Sequence, residues 1–259
     1  MSKSIVITGT SNGLGKDVAT TLAAARHNVF ATMRNINGRN CGAAAELPLK
    51  GIEGVELDVK DDRSVDVASM NILAKLSGNL DVVINNASLM IQGMSETIMA
   101  DQAREMFDVN IFGIQRIMRA ALSAVRKAGS GLTESYLYEL SQLGVDVVLV
   151  QPSGYPTNPY STHTTPADSG REMDYGPVAA VPKAFVASLQ DTFGGASAPN
   201  PHDVAETLAK HIATRAGQRP ARVVVGNPFG ASDVNSLAAP IQAPLLSGIG
   251  MDGLATSKL

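Results

Sequence analysis

The sequence predicts a single α/β domain built on a parallel sheet, and three observations carry that expectation. Short apolar runs rich in β-branched residues recur at positions 5–7, 28–33, 55–59, 80–84 and 145–150. Such runs suit strands buried on both faces. Helical spacing fills much of the chain between the earlier runs, as parallel crossovers require. The first run also passes at once into a glycine-rich turn that opens a helical pattern. The length of 259 residues and a hydrophobic content of 44% allow one sizeable core.

The first strand and its turn read IVITGTSNGLG, residues 5–15. Thr8-Gly9 breaks the strand, Asn12-Gly13 continues the turn, and Gly13-Leu14-Gly15 leads into a helix running to about Arg26. Glycines serve a turn whose backbone must approach a ligand closely. The unpaired N–H groups of the helix carry the positive end of its dipole, so a pyrophosphate fits there. An ordinary turn could use the same residues, but their place directly after the first strand favours the nucleotide. With Thr8 in front, the spacing resembles the TGxxxGxG fingerprint of the short-chain dehydrogenase/reductase family. The resemblance implies a doubly wound, Rossmann-like parallel sheet with helices on both faces. It also implies a dinucleotide held by Gly9, Thr10, Ser11, Asn12, Gly13, Leu14 and Gly15.

The second strand is NVFATM, residues 28–33. An acid just past it would bind the ribose 2′-OH of NAD, whereas a basic residue accommodates the 2′-phosphate of NADP. Here stands Arg34, so NADP(H) is expected over NAD(H); a solvated surface arginine is the plainer alternative. Positions 42–47 offer one or two helical turns. The third strand, 55–59, closes on Asp58-Val59, and the family's matching pair lies beside the adenine ring. Asp58 alone could equally cap a helix. Residues 61–77 show helical spacing through Val65, Ala68, Ile72 and Leu76.

The fourth strand, 80–84, ends in Asn85-Asn86-Ala87-Ser88. This resembles the family's NNAG motif with serine for the last glycine, and it places Asn86, Ala87 and Ser88 at the nicotinamide ribose. Asparagine amides there hold strand ends and turn together. A long helical pattern from about Met99 to Lys127 contains Asn110, which matches the asparagine of the family's catalytic set. That residue supports a backbone distortion and a water in the proton relay. A solvent-facing asparagine is the alternative.

The family pattern then breaks. A fifth strand with a catalytic serine and a helix opening Tyr-x-x-x-Lys should follow, but Lys127-Ala128-Gly129-Ser130-Gly131 runs directly into Leu132 and a helical piece. Leu140, Gln142, Pro159, Thr164 and Ala179 stand four places after the tyrosines, and no lysine lies between Lys127 and Lys183. Ser130 sits in a Gly-Ser-Gly turn at the wrong end of the sheet. Asn110 is the recognisable survivor of the catalytic set. The sheet is expected to be one central strand short. Either the next helix repacks or the sixth strand moves beside the fourth.

Beyond the break, strand 145–150 leads into Gln151-Pro152-Ser153-Gly154-Tyr155-Pro156-Thr157, which matches the family's Pro-Gly turn. In the family that turn packs on the nicotinamide, so the resemblance implies cofactor contacts from Pro152 and Gly154, with Thr157 placed to reach the carboxamide or the phosphates. Residues 158–200, with a helix at 183–192, occupy the place of the family's substrate lid; composition alone would equally fit a disordered insert. A helix from Pro201 to about Thr214 and a last strand at 222–225 follow. The tail from Asn227 mixes Gly and Pro with apolar residues and suits cover of a subunit neighbour. The resemblance implies a homo-oligomer, weakened or altered here because the shortened helix after the break removes much of the family's pairing surface.

Composition narrows the partners. The formal charge of −3, from well-mixed signs, points to neither nucleic acid nor an anionic membrane. The lone Cys41 precludes an internal disulfide and suits a cytoplasmic setting. The N-terminus enters a strand at once, with no signal peptide expected. Four scattered histidines make no metal-ligand pattern, and no run of eighteen apolar residues spans a membrane. The family reading is an NADP(H)-dependent oxidoreductase acting on a small-molecule alcohol or carbonyl. Two alternatives are a nucleotide-binding protein without catalysis and a deletion form of an active parent.

Overall fold

The computed structural model describes residues 1–128, 130–131, 140, 144–157, 164–195 and 198–248. Strands β1 (Ser4–Thr8), β2 (Asn28–Met33), β3 (Glu53–Glu56) and β4 (Val82–Ile84) form one parallel sheet in the order β3-β2-β1-β4. Helices α1 (Gly13–Ala24), α2 (Cys41–Glu46) and α3 (Asp62–Lys75) connect them. The apolar runs alternate between two cores, as a strand's period of two requires. Val6, Phe30 and Val83 face α3 and α5 (Gly113–Ala128). Ile5, Ile7, Val29 and Ala31 face α1 and a later helix, α7 (His202–Ala213).

Several boundaries differ from expectation. β3 covers residues 53–56 and not 55–59; Leu57 still donates its N–H to the Met33 carbonyl of β2 at 3.0 Å, and the chain then leaves the sheet with Leu57 and Val59 buried in the core. Asp61 caps α3, accepting from the backbone N–H groups of Arg63 (2.9 Å) and Ser64 (3.3 Å). The long helix is two helices, α4 (Ala100–Phe107) and α5, joined by a π-turn at Asp108–Phe112. Residues 181–194 form α6, flanked by 3-10 turns at Ser169–Ala180, and no residue of either is buried. The tail holds a helix, α8 (Ala231–Gly248), despite Pro240 and Pro244.

The break divides the sheet. Ser130–Gly131 makes a two-residue strand, β5, parallel to β6 (Asp146–Val147). After Val148 the chain continues as β7 (Leu149–Pro152), which pairs in parallel with β8 (Arg222–Val225). No ladder among the described strands joins β7 to β4. The expected strand 145–150 is thus divided between β6 and β7, and neither is paired with β4 among the described residues. The helical piece expected after Leu132 lies outside the described residues, apart from the buried Leu140.

α7 is tied to the rest by charge at both ends. At its start, His202 Nδ1 lies 3.0 Å from Asp17 Oδ2 on α1, and Nε2 lies 3.8 Å from Glu206. Its hydrogen bond to Asp17 raises the imidazole pKa, with Asp17, Glu206 and Asp203 adding their charges. A raised folded-state pKa stabilises fully below the unfolded value, and the gain is lost as pH rises through the folded value. The ring is 44% exposed, so solvent weakens the effect. His202→Ala is expected to lower the melting temperature more at pH 5.5 than at pH 8.5, as checked by calorimetry at both.

Candidate dinucleotide site

The C-terminal ends of β1, β2 and β4 surround a cleft of about 490 Å³. Its floor is the glycine turn. Gly9 has φ +70° and Gly13 φ +55°, conformations that side chains disfavour. A Cβ on Gly9 would come within 2.7 Å of the Ala87 Cα, and one on Gly15 within 2.4 Å of the Gly9 carbonyl oxygen. Three backbone segments thus meet with no room between them. Asn86 fastens them, its Nδ2 donating to the carbonyls of Thr8 (2.9 Å) and Gly9 (3.0 Å). Thr8 Oγ1 in turn accepts the N–H groups of Asn86 and Ala87, both at 3.0 Å. Thr10, fully buried, donates from backbone and hydroxyl to the Thr32 carbonyl, fixing the turn to β2.

The helix above this turn is open. No side chain caps α1 and no acid lies in its first turn, so its first N–H groups and its dipole favour an anion. Thr157 packs against Gly13, 3.9 Å from where its Cβ would stand. Gly15→Ala is expected to displace the Gly9 carbonyl and weaken binding of any dinucleotide this cleft takes about tenfold or more, about 1.4 kcal/mol, as measured by titration calorimetry.

The far end of the cleft is charged. Arg34 and Arg39 both line it. The loop carrying them is held by Glu56, whose carboxylate accepts the Asn35 and Ile36 N–H groups at 2.6 Å each. Asn40 Nδ2 closes the loop on the Arg34 carbonyl at 2.5 Å. Glu105 also lines the cleft. Its hydrogen bond to Lys60, at 2.6 Å, holds its carboxyl below the usual range. Asp58 accepts the Lys60 N–H at 3.0 Å and does not cap α3.

The structure brings Gly9, Ser11, Asn12, Gly13, Leu14, Gly15, Arg34, Asp58, Val59, Asn86, Ala87, Ser88 and Thr157 to one cleft. Thr10 lies beneath it. Pro152 and Gly154 lie beyond it at the end of β7, Pro152 lining a second cavity. Asn110 acts from behind: its Nδ2 donates to the Leu89 carbonyl and its Oδ1 accepts the Leu89 N–H, both at 2.8 Å. It sits in the π-turn at Asp108–Phe112. Arg39, Leu89, Met90, Glu105 and Val109 line the cleft without having been singled out in the sequence. Among the described residues, no group of His, Cys, Asp or Glu could hold a metal ion, and no helix is long and apolar enough to cross a membrane.

The short chain dehydrogenase family profile matches residues 3–132. Human 17-beta-hydroxysteroid dehydrogenase type 1 is 34% identical over 134 residues, which are 49% of this chain and 40% of that enzyme. The match therefore spans about two fifths of that relative's length. The Bacillus subtilis (strain 168) protein "Uncharacterized oxidoreductase YusZ" is 26% identical over 87% of this chain and 90% of its own. A short-chain dehydrogenase from Streptomyces avermitilis superposes with a TM-score of 0.72 at 24% identity, covering 97% of this chain and 98% of that one.

Proposed function

The chain belongs to the short-chain dehydrogenase family, and from that premise we propose that it binds NADP(H) in the cleft above the Gly9–Gly15 turn. The observation that carries this reading is the cradle itself. The close approach of Gly9, Gly15 and Ala87 leaves backbone, not side chain, at the uncapped start of α1. That surface fits a pyrophosphate. Arg34, with Arg39 beside the same cleft and no acid directly after β2, favours the 2′-phosphate. Asp58 and Val59 would border the adenine, Asn86, Ala87 and Ser88 the nicotinamide ribose, and Thr157 the phosphates or carboxamide. Bound there, the cofactor would supply or accept a hydride, and the substrate class is a small-molecule alcohol or carbonyl. One domain, residues 1–259, with 158–200 as lid, a cytoplasmic setting and a homo-oligomer complete the reading. Phe107, Ile111 and Phe112 expose an apolar face between α4 and α5 that supports the last of these.

Arg34→Ala is expected to weaken NADPH binding about tenfold or more, the loss of one charge-assisted contact. NADH binding should stay nearly unchanged. Equal affinities for NADPH and NADH in the unaltered protein would overturn the preference.

A second reading is favoured by one specific feature of the sequence. No tyrosine is followed by lysine four places on, so the family's Tyr-x-x-x-Lys pattern is missing from this sequence. The chain would then bind the dinucleotide without catalysis, as a regulator or as a deletion form of an active parent. Sequencing the encoding gene across Gly131-Leu132 separates these last two.

A further inference from the structure

The loop after β2 brings two arginines to one cleft, and they reach it by different means. Arg34 follows β2 directly, so the sheet sets its backbone. Met33 pairs with Glu56 in the β2–β3 register, and the Leu57 N–H donates to the Met33 carbonyl at 3.0 Å. Arg39 stands farther on, in the turn before α2, yet it lines the same cleft.

The path of residues 35–40 brings it back. At the end of β3, the Glu56 carboxylate accepts the Asn35 N–H on one oxygen and the Ile36 N–H on the other, each at 2.6 Å. Successive amides converge on one anion where the backbone turns left-handed, and Asn35 has φ +53°. From that bend the chain closes on itself. Gly38 and Asn40 both donate their N–H groups to the Asn35 carbonyl, at 3.2 Å each, and Asn40 Nδ2 donates to the Arg34 carbonyl at 2.5 Å. Ile36 packs against the core beneath. Arg39 therefore sits between the two residues that the Asn35 carbonyl holds, and Glu56 sets where that carbonyl stands.

We propose that Glu56 is a positioning residue for the 2′-phosphate, holding the loop so that Arg39 joins Arg34 there and NADPH is chosen over NADH. The proposal rests on the reading of the cleft as an NADP(H) site. Glu56 does not itself line the cleft, so it acts through the loop. Two guanidinium groups repel each other, and each long side chain loses rotamer freedom when it is held. A backbone that presents both in advance lowers the cost of bringing them together. Charge alone predicts the opposite sign. A carboxylate near the phosphate repels it, so removing the Glu56 charge would tighten NADPH binding. Positioning predicts a loss, because the glutamine side chain offers the two amides one neutral acceptor oxygen in place of two charged ones.

The experiment is a double-mutant cycle on the full chain. NADPH and NADH are each titrated by calorimetry into the unaltered protein, Glu56→Gln, Arg39→Ala and the double variant. Each single change is expected to weaken NADPH binding about tenfold while NADH binding stays within about twofold. The double variant is expected to bind NADPH within about twofold of Arg39→Ala alone, since Glu56 acts through Arg39. In the protein without dinucleotide, the Asn35 and Ile36 amides should exchange faster in Glu56→Gln and at the unaltered rate in Arg39→Ala. Tighter or unchanged NADPH binding by Glu56→Gln, losses that add in the double variant, or an equal loss of NADH would each overturn the proposal. The NADP(H) reading would still stand on Arg34→Ala. Equal affinities for NADPH and NADH in the unaltered chain, or binding of neither, would overturn both.

Discussion

Supplied with NADPH and a panel of ketones and aldehydes, the purified 259-residue chain is expected to turn over about 10⁴-fold more slowly than an enzyme with a complete catalytic set. General acid catalysis contributes on the order of 10² to 10⁴. The family's donor is a tyrosine whose proton affinity a lysine tunes, and this sequence offers no such pair. Misplacement of substrate adds a further factor of ~10², because among the described residues no ladder joins β4 to β7, where a strand would wall the pocket. These factors do not multiply simply, since the groups act as a unit. Asn110 cannot substitute. Its amide is already spent on both backbone groups of Leu89, and it has no proton to give near neutral pH. Tyr155, the nearest tyrosine in sequence to the Pro-Gly turn, is buried beside Val204 and Val225 and does not line the cleft. The assay is NADPH oxidation by protein of verified intact mass. Family-like turnover that Asn110→Ala abolishes would show that catalysis survives the break.

The cleft was legible in the sequence to the extent that single residues carry backbone demands. Gly9 and Gly13 take positive φ, and Gly15 meets the Gly9 carbonyl; each demand excludes a side chain and so marks the sequence. Asn86 was legible for a similar reason, as a polar residue at the end of an apolar strand must find backbone partners. Arg39 was not. It reaches the cleft only because Glu56, from another strand, grips the Asn35 and Ile36 amides and folds the loop back. Nothing local to Arg39 records that contact; the acid at the end of the third strand was the one available signal. Strand β3 shows a different limit. The apolar pattern reported burial of Leu57 and Val59 correctly, but burial does not set strand bounds: the register runs over residues 53–56, with the Leu57 N–H making the last bond to β2. α8 was hidden by Pro240 and Pro244, which read as irregular chain although a helix accommodates them.

The half of the molecule beyond the break depends on one buried pair, and its removal is expected to cost about 3–5 kcal/mol. Asp146 and Arg219 are 8% and 9% exposed at their side chains and meet at 2.7 Å. Arg219 also donates to the carbonyls of His211 (2.7 Å) and Thr214 (2.8 Å), which are among the last of α7 and just beyond it. Asp146 further accepts the Gly217 N–H at 3.0 Å. One ion pair therefore joins the end of α7, the loop after it and the first residue of β6. Asp146→Ala would leave a guanidinium buried without its counter-charge and an amide without an acceptor, and both penalties add to the lost attraction. Asp146→Asn keeps an acceptor for Gly217 and should cost less. Charge loss at an exposed site would cost under about 1 kcal/mol, so the size of the effect reads out burial. The measurement is urea unfolding of the three proteins at neutral pH. A midpoint for Asp146→Ala within error of the unaltered chain would mean that β6 and α7 are not held together by this pair.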